Sequence, residues 1–197
     1  MQRIDCLKAV APFIKDQLVV VSLGRTSDEW ATVCPHDGTL FDSGMGHHIP
    51  LGLGLATALP HRQVIVLDTD GSVLMLLSSL TALGVRPANN LKIFVFDNEV
   101  YEGTGGQPSA TAGIADIGAI AQGAGVRGAK TVRDLESFKA AAREALTTEG
   151  LAFIVAKVEM AKGPSPRRVV GHREGLIRFV RYVEATEKIT IFHTQHS

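Results

Sequence analysis

The sequence predicts an α/β fold, a mostly parallel sheet with helices on both faces. Three observations predict it. Short apolar runs alternate along the chain with segments of helical pattern, the order that builds strand–helix–strand crossovers. The runs at 18–22, 64–67, 91–96 and 151–158 are apolar nearly throughout, as strands buried on both faces must be. Two of them end in polar, turn-forming residues, Asp70-Gly71-Ser72 and Asp97-Asn98, and ligands of such sheets sit beyond the carboxyl ends of the strands.

The elements follow in order. Residues 4–14 read as an amphipathic helix whose end is weakened by Pro12, which lacks the N–H that a helix interior needs. A buried strand at 18–22 precedes a short helix at 26–33, with Thr26 or Ser27 as its cap. Residues 46–59, apolar and rich in Gly and Ala, read as a closely packed helix ending at Pro60. Strand 64–67, helix 73–83 and strand 91–96 come next. Residues 102–112, rich in Gly, Ser, Thr and Pro, read as a loop. Helices at 114–124 and 135–147 lead to a strand at 151–158. Gly163-Pro164-Ser165-Pro166 breaks the chain before an amphipathic helix at 174–185. One domain is expected over 1–197, with 189–197 as a C-terminal extension.

Composition narrows the function classes. The 197 residues are 45% hydrophobic with a formal net charge of zero, which gives no basic surface for nucleic acid or an anionic membrane. Neither a signal-peptide pattern nor an apolar run long enough to span a bilayer is present, so a cytoplasmic protein is expected. Cys6 and Cys34 form neither a CxxC motif nor a disulfide framework, and they are too few to ligate an iron–sulfur cluster.

The two strand ends carry chemistry together. Asn98 lies twenty-eight positions after Asp70, so two neighbouring parallel strands would bring both to one sheet edge. A diphosphate there needs backbone N–H donors and a counter-charge. A helix start supplies the donors, and Gly71 permits close approach. Magnesium takes near-octahedral oxygen ligation and combines one or two side chains with phosphate oxygens. Asp70 offers a charged oxygen, Asn98 an amide oxygen, and Val100 a backbone carbonyl. Either motif alone is commonly a turn and a cap; the pair at this spacing points to a site. Asn89-Asn90 precedes its strand and belongs at the opposite edge.

Thr69-Asp70-Gly71-Ser72 through Asp97-Asn98 resembles the Gly-Asp-Gly to Asn-Asn motif of the thiamine diphosphate enzymes, and with it their fold. Thr69 replaces the first Gly and Asp97 the first Asn; neither falls on a side-chain metal ligand. Ser43-Gly44-Met45-Gly46 is similar to the segment that meets the aminopyrimidine and thiazolium. The resemblance implies Met45 as the apolar wedge that bends the cofactor, with the Ser43 carbonyl and Met45 N–H on the aminopyrimidine. It extends cofactor contact to Gly44, Gly71, Ser72 and Tyr101. The run Asn98 to Gln107-Pro108, with Met45-Gly46-His47, resembles the group of sulfopyruvate decarboxylase beta subunits and phosphonopyruvate decarboxylases.

That resemblance implies decarboxylation of a small 2-oxo acid, with thiamine diphosphate and Mg2+. Such enzymes need a second domain type that binds the aminopyrimidine and supplies a catalytic glutamate. The chain has room for the diphosphate-binding domain alone, so a separate pyrimidine-binding (alpha-type) subunit, an oligomer, and a chain inactive by itself are expected. Candidate acid–base or substrate contacts are His47, His48, Glu102 and Thr104. Arg25 is a candidate for an anionic substrate tail. The His36-Asp37 pair is adjacent in sequence, which is not geometry. Alternatives are the cofactor subunit of a 2-oxoacid oxidoreductase, against which the absent cysteine cluster counts, and a non-catalytic cofactor-binding module. Gly52-Leu53-Gly54 only partly imitates a dinucleotide-binding loop.

Overall fold

The computed structural model describes residues 1–41, 43–166 and 171–192. In chain order the elements are α1 (Arg3–Val10), β1 (Leu18–Val21), α2 (Arg25–Val33), β2 (Thr39–Phe41), α3 (His48–Ala58), β3 (Val64–Thr69), α4 (Asp70–Met75), α5 (Ser78–Val85) and β4 (Leu91–Asp97). They continue with β5 (Val100–Tyr101), β6 (Gln107–Pro108), α6 (Ile117–Gly123), β7 (Lys130–Val132), α7 (Leu135–Thr147), β8 (Ala152–Lys157) and α8 (His172–Glu187). Six strands pair in parallel in the order β2-β1-β3-β4-β8-β7. The small β5–β6 ladder is antiparallel.

Alternation within the buried strands fills two cores. Successive side chains of a strand point to opposite faces. Val64, Val66, Ile93 and Val95 face one side, where they pack with residues of α3, α5, α6 and α8. Ile65, Leu67, Phe94 and Phe96 face the other, against α1, Trp30 of α2 and α7. Helix α7 shows why these segments fold locally: Asp134 caps it, accepting from the Ser137 N–H at 2.8 Å. Phe138, Ala141, Ala142 and Ala145 recur on its buried side at helical spacing. No helix among the described residues is long and apolar enough to cross a membrane.

Several boundaries differ from the expectation, each for a local reason. Helix α2 begins at Arg25 with Gly24 at its N-cap (φ 74°), so Thr26 and Ser27 fall in the first turn; Ser27 Oγ donates to the Gly24 carbonyl at 2.9 Å. Helix α3 starts at His48, because Gly46 is held at φ 81° with its N–H on Ser72 Oγ at 3.0 Å. The single helix expected over 73–83 is two, α4 and α5, broken where Leu76 leaves helical dihedrals (φ −141°, ψ 59°). Helix α6 starts late because Asp116 is its cap, accepting from the Ala119 N–H. The loop at 102–112 carries β6 and its short ladder with β5. The three-residue strands β2 and β7 at the two sheet edges were not expected. In the expected extension, the N–H groups of Ile191 and Phe192 donate to Glu184 Oε1 at the end of α8; residues 193–197 lie outside the described residues.

Candidate active site

The chain leaves β1 outward to β2 and returns to place β3 on the other side of β1. At such a switch point the crossovers part to opposite faces and leave a crevice beyond the carboxyl ends of the strands. A cavity of about 530 Å³ lies there. Residues following β1, β3, β4 and β8 form its walls, Met45 and Arg3 complete them, and Asp70, Gly71, Asn98, Val100, Tyr101, Glu102 and Thr104 all line it. Register explains the meeting of Asp70 and Asn98: Thr69 of β3 pairs with Phe96 of β4, so both residues follow paired strand ends.

Asp70 is 1% exposed. Its Oδ2 accepts from Ser109 Oγ at 2.6 Å and from Thr111 Oγ1 at 3.3 Å, while Oδ1 has no hydrogen-bond partner. Burial raises its pKa above the ordinary carboxylate value; the Ser109 hydrogen bond opposes the rise and the charge of Asp97 adds to it. A buried carboxylate oxygen left unpaired is costly, and a bound cation removes that cost. The Asn98 Oδ1 accepts from the Val100 N–H at 3.2 Å, across a turn in which Glu99 adopts φ 65°. One carboxylate, one amide and one backbone carbonyl are the oxygen donors that suit magnesium with phosphate. No trio of His, Cys, Asp or Glu side chains converges as a metal cage among the described residues.

The two departures from the family motif are accommodated. Thr69 has φ −127° and ψ 158°, ordinary extended backbone that needs no glycine. Asp97 is ion-paired through Oδ2 to Lys157 Nζ at 2.8 Å, and its Oδ1 accepts from Thr111 Oγ1 at 2.7 Å. Burial would lower the Lys157 pKa, but hydrogen bonds and charges from Asp97 and Glu99 outweigh it and raise the value. The glycine at 71 is required: a Cβ there would lie 2.6 Å from Tyr101 Cε1.

The other expected residues divide. Met45 stands on the cavity wall between Gly44 (φ 98°) and Gly46. Ser43 Oγ is buried without a partner. Ser72 Oγ is occupied within the chain, holding the Gly46 N–H, with His48 Nδ1 at 3.0 Å. His48 is fully buried and also 3.0 Å from Asp68 Oδ1; it does not line the cavity. His47 is exposed, also off the lining. Thr104 Oγ1 lies 3.2 Å from Gln107 Oε1. Arg25 lines the cavity but donates to Glu29 Oε1 at 2.8 Å and to the Gly163 carbonyl at 2.7 Å. His36 packs edge-on against Tyr182, with Nε2 on the Lys15 carbonyl. Asn90 sits at the opposite edge, donating to the carbonyls of Ala56, Leu59 and Arg62.

Four residues at the site were not foreseen: Arg3, Ser109, Thr111 and Lys157. No spacing rule ties them to Asp70 or Asn98, because they arrive from three separate segments: α1, the turn after β6, and β8. The only trace in the sequence is the density of hydroxyl residues after Gln107-Pro108.

Comparison with known proteins supplies the class. The family model described as thiamine pyrophosphate enzyme, C-terminal TPP binding domain, matches residues 39–156. The chain belongs to that family. Among individual relatives, it is 31% identical to a sulfopyruvate decarboxylase subunit beta of Methanothermobacter thermautotrophicus, over 95% of this chain and 98% of that protein. It is 36% identical to a phosphonopyruvate decarboxylase of Streptomyces viridochromogenes, over 73% of this chain but 36% of that protein. The chain thus spans about a third of the longer relative and nearly all of the subunit. Benzoylformate decarboxylase from Polynucleobacter necessarius shares the fold, with a TM-score of 0.67, 21% identity, and coverage of 83% of this chain and 34% of that one.

Proposed function

We propose that this chain is the diphosphate-binding, beta-type subunit of a thiamine diphosphate-dependent 2-oxo acid decarboxylase. In this reading a separate pyrimidine-binding subunit supplies the catalytic glutamate, and the chain is inactive alone. The observation that carries it is the buried Asp70 with one unpaired carboxylate oxygen, at a switch-point cavity that Asn98 also lines. The near-complete overlap with a protein named as a subunit beta supports the two-chain arrangement. The substrate class proposed is a pyruvate bearing an anionic 3-substituent, such as a sulfonate or phosphonate, on the strength of the relatives' names.

Asp70, Asn98 and the Val100 carbonyl would hold Mg2+, and the backbone N–H groups of Gly71 and Ser72 would meet the diphosphate. Gly44, Ser43 and Met45 would seat the organic part, with Tyr101 packed over Gly71 closing the wall. When bound, the cofactor supplies a nucleophilic carbon and an electron sink for the loss of carbon dioxide. The chain's residues bind, orient and exclude water. Glu102 and Thr104 on the lining are the substrate-side contacts of this chain; His47, exposed, is available at a subunit junction. His48 acts from behind, holding Ser72 and through it the Gly46 turn.

Calorimetric titration of thiamine diphosphate with magnesium, into this chain and into its mixture with the pyrimidine-binding subunit, tests the reading. Tight binding with carbon dioxide release confined to the mixture is expected. Folded protein that binds no cofactor in either preparation refutes it.

A further inference from the structure

A chain of four charges, Arg3 and Glu29 buried and Arg25 and Glu102 half-buried, leads from α1 to Asn98. Arg3 Nε donates to Glu29 Oε2 at 3.0 Å, and Arg3 Nη1 to Glu102 Oε2 at 3.1 Å. Arg25 Nε pairs with Glu29 Oε1 at 2.8 Å and lies 3.8 Å from Glu102 Oε1. The side chains of Arg3 and Glu29 are 3% and 5% exposed. Two arginines balance two glutamates, so the cluster carries no net charge toward the cavity. Its last link is a hydrogen bond from Asn98 Nδ2 to Glu102 Oε2 at 3.1 Å.

That link decides how Asn98 presents itself. An asparagine amide can turn over, exchanging its oxygen and nitrogen, and its neighbours choose the orientation. Here both neighbours choose the same one. Glu102, anchored by Arg3 and unable to donate when ionised, takes the NH2 end; the Val100 N–H, unable to accept, takes Oδ1. The flipped amide would set oxygen against carboxylate and N–H against N–H. A cation needs the oxygen.

We propose that Glu102, clamped by Arg3, is a positioning residue that locks the Asn98 side-chain amide with its oxygen available to the metal. This rests on the metal-site reading above and changes the part played by Glu102. Arg3 Nη1 and Asn98 Nδ2 both donate to its Oε2, so through that oxygen it orients a ligand, the task that outer partners commonly perform for metal ligands.

The test is a magnesium titration at fixed thiamine diphosphate, followed by calorimetry on the chain with its pyrimidine-binding subunit. The variants are Glu102→Met, which has no acceptor for the Asn98 amide, Glu102→Gln, which keeps an acceptor oxygen at the same charge as Glu102→Met, and the double variant Arg3→Met/Glu102→Met. Glu102→Met is expected to raise the magnesium midpoint roughly 10-fold or more, and Glu102→Gln to recover part of the loss. The double variant removes one charge of each sign, leaving Arg25 with Glu29. If Glu102 only neutralised Arg3, the double variant would bind magnesium like the wild type; a persistent loss is expected instead. The 15N-resolved Asn98 side-chain NH2 signals, measured on the chain without metal, should shift in Glu102→Met and return toward wild type in Glu102→Gln. Wild-type midpoints in Glu102→Met or in the double variant, or unchanged Asn98 signals in Glu102→Met, overturn the inference alone. Absence of any magnesium-dependent binding by the wild type overturns the functional reading on which it rests.

Discussion

Asp70 should weaken the protein that carries it. Replacing it with asparagine keeps the shape, and the amide oxygen can still accept from Ser109 Oγ, now 2.6 Å from Oδ2. What disappears is a buried charged oxygen with no partner, Oδ1. An unsatisfied buried group costs about 1–3 kcal/mol, more when charged, and a neutral amide in the same place costs less. Asp70→Asn is therefore expected to stabilise the metal-free chain by about 1–2 kcal/mol, which for a chain of this size raises Tm by about 2–8 °C. The pH dependence has a definite sign. Burial raises the Asp70 pKa in the folded state, so the wild-type penalty is absent below the unfolded value, grows as pH rises, and is complete above the folded value. The variant's advantage should thus grow as pH rises and vanish in acid. The assay is calorimetric unfolding in chelator across pH, repeated with magnesium and thiamine diphosphate. Ligand at a hundred times its Kd would stabilise the wild type by about 2.7 kcal/mol and leave the variant unmoved. A variant that melts below the wild type in chelator, or gains equally from ligand, refutes the reasoning.

Further outcomes are expected. Lys157→Met strands the buried Asp97 carboxylate and should cost about 3 kcal/mol or more in urea unfolding, most of it regained in Lys157→Met/Asp97→Asn; additive losses would break the coupling. Gly71→Ala puts a Cβ against the Tyr101 ring, at about 1–3 kcal/mol of overpacking. Adding Tyr101→Ala should restore stability, and a Gly71→Ala protein with unchanged Tm would contradict the contact. Cys6 is buried, with burial pushing its thiol up to about 12, so iodoacetamide at pH 8 should modify Cys34 alone until denaturant is added. Labelling of Cys6 in the native chain would contradict its burial.

Much of the fold was readable because strands buried on two faces must be apolar throughout. Residues 64–67 and 91–96 announced β3 and β4 for that reason, and the helix read at 135–147 coincides with α7. The edge strands β2 and β7 escaped because three residues show no periodicity. The break between α4 and α5 escaped because both halves are apolar and carry no Gly or Pro at the junction. Lys92, a charge in a buried strand, reads as a discord. It is resolved only by the carbonyls of Asn89, Thr148 and Gly150 that its ammonium meets at the opposite edge.

By itself the sequence determined the strand ends on which the candidate site is built, and with them the placing of Asp70, Asn98 and the glycine at 71. Those positions are set by local order: a polar turn must follow an apolar strand, and parallel neighbours align their ends. Tertiary structure alone decided which atoms are free. Ser109 and Thr111 occupy one oxygen of Asp70 and leave the other, Lys157 offsets Asp97, and Arg3 reaches from the first helix to hold Glu102 against Asn98. Hydrogen bonds and charges act through space over a few ångströms, and residues ninety-nine positions apart, as Arg3 and Glu102 are, become neighbours only when the sheet has closed between its helices.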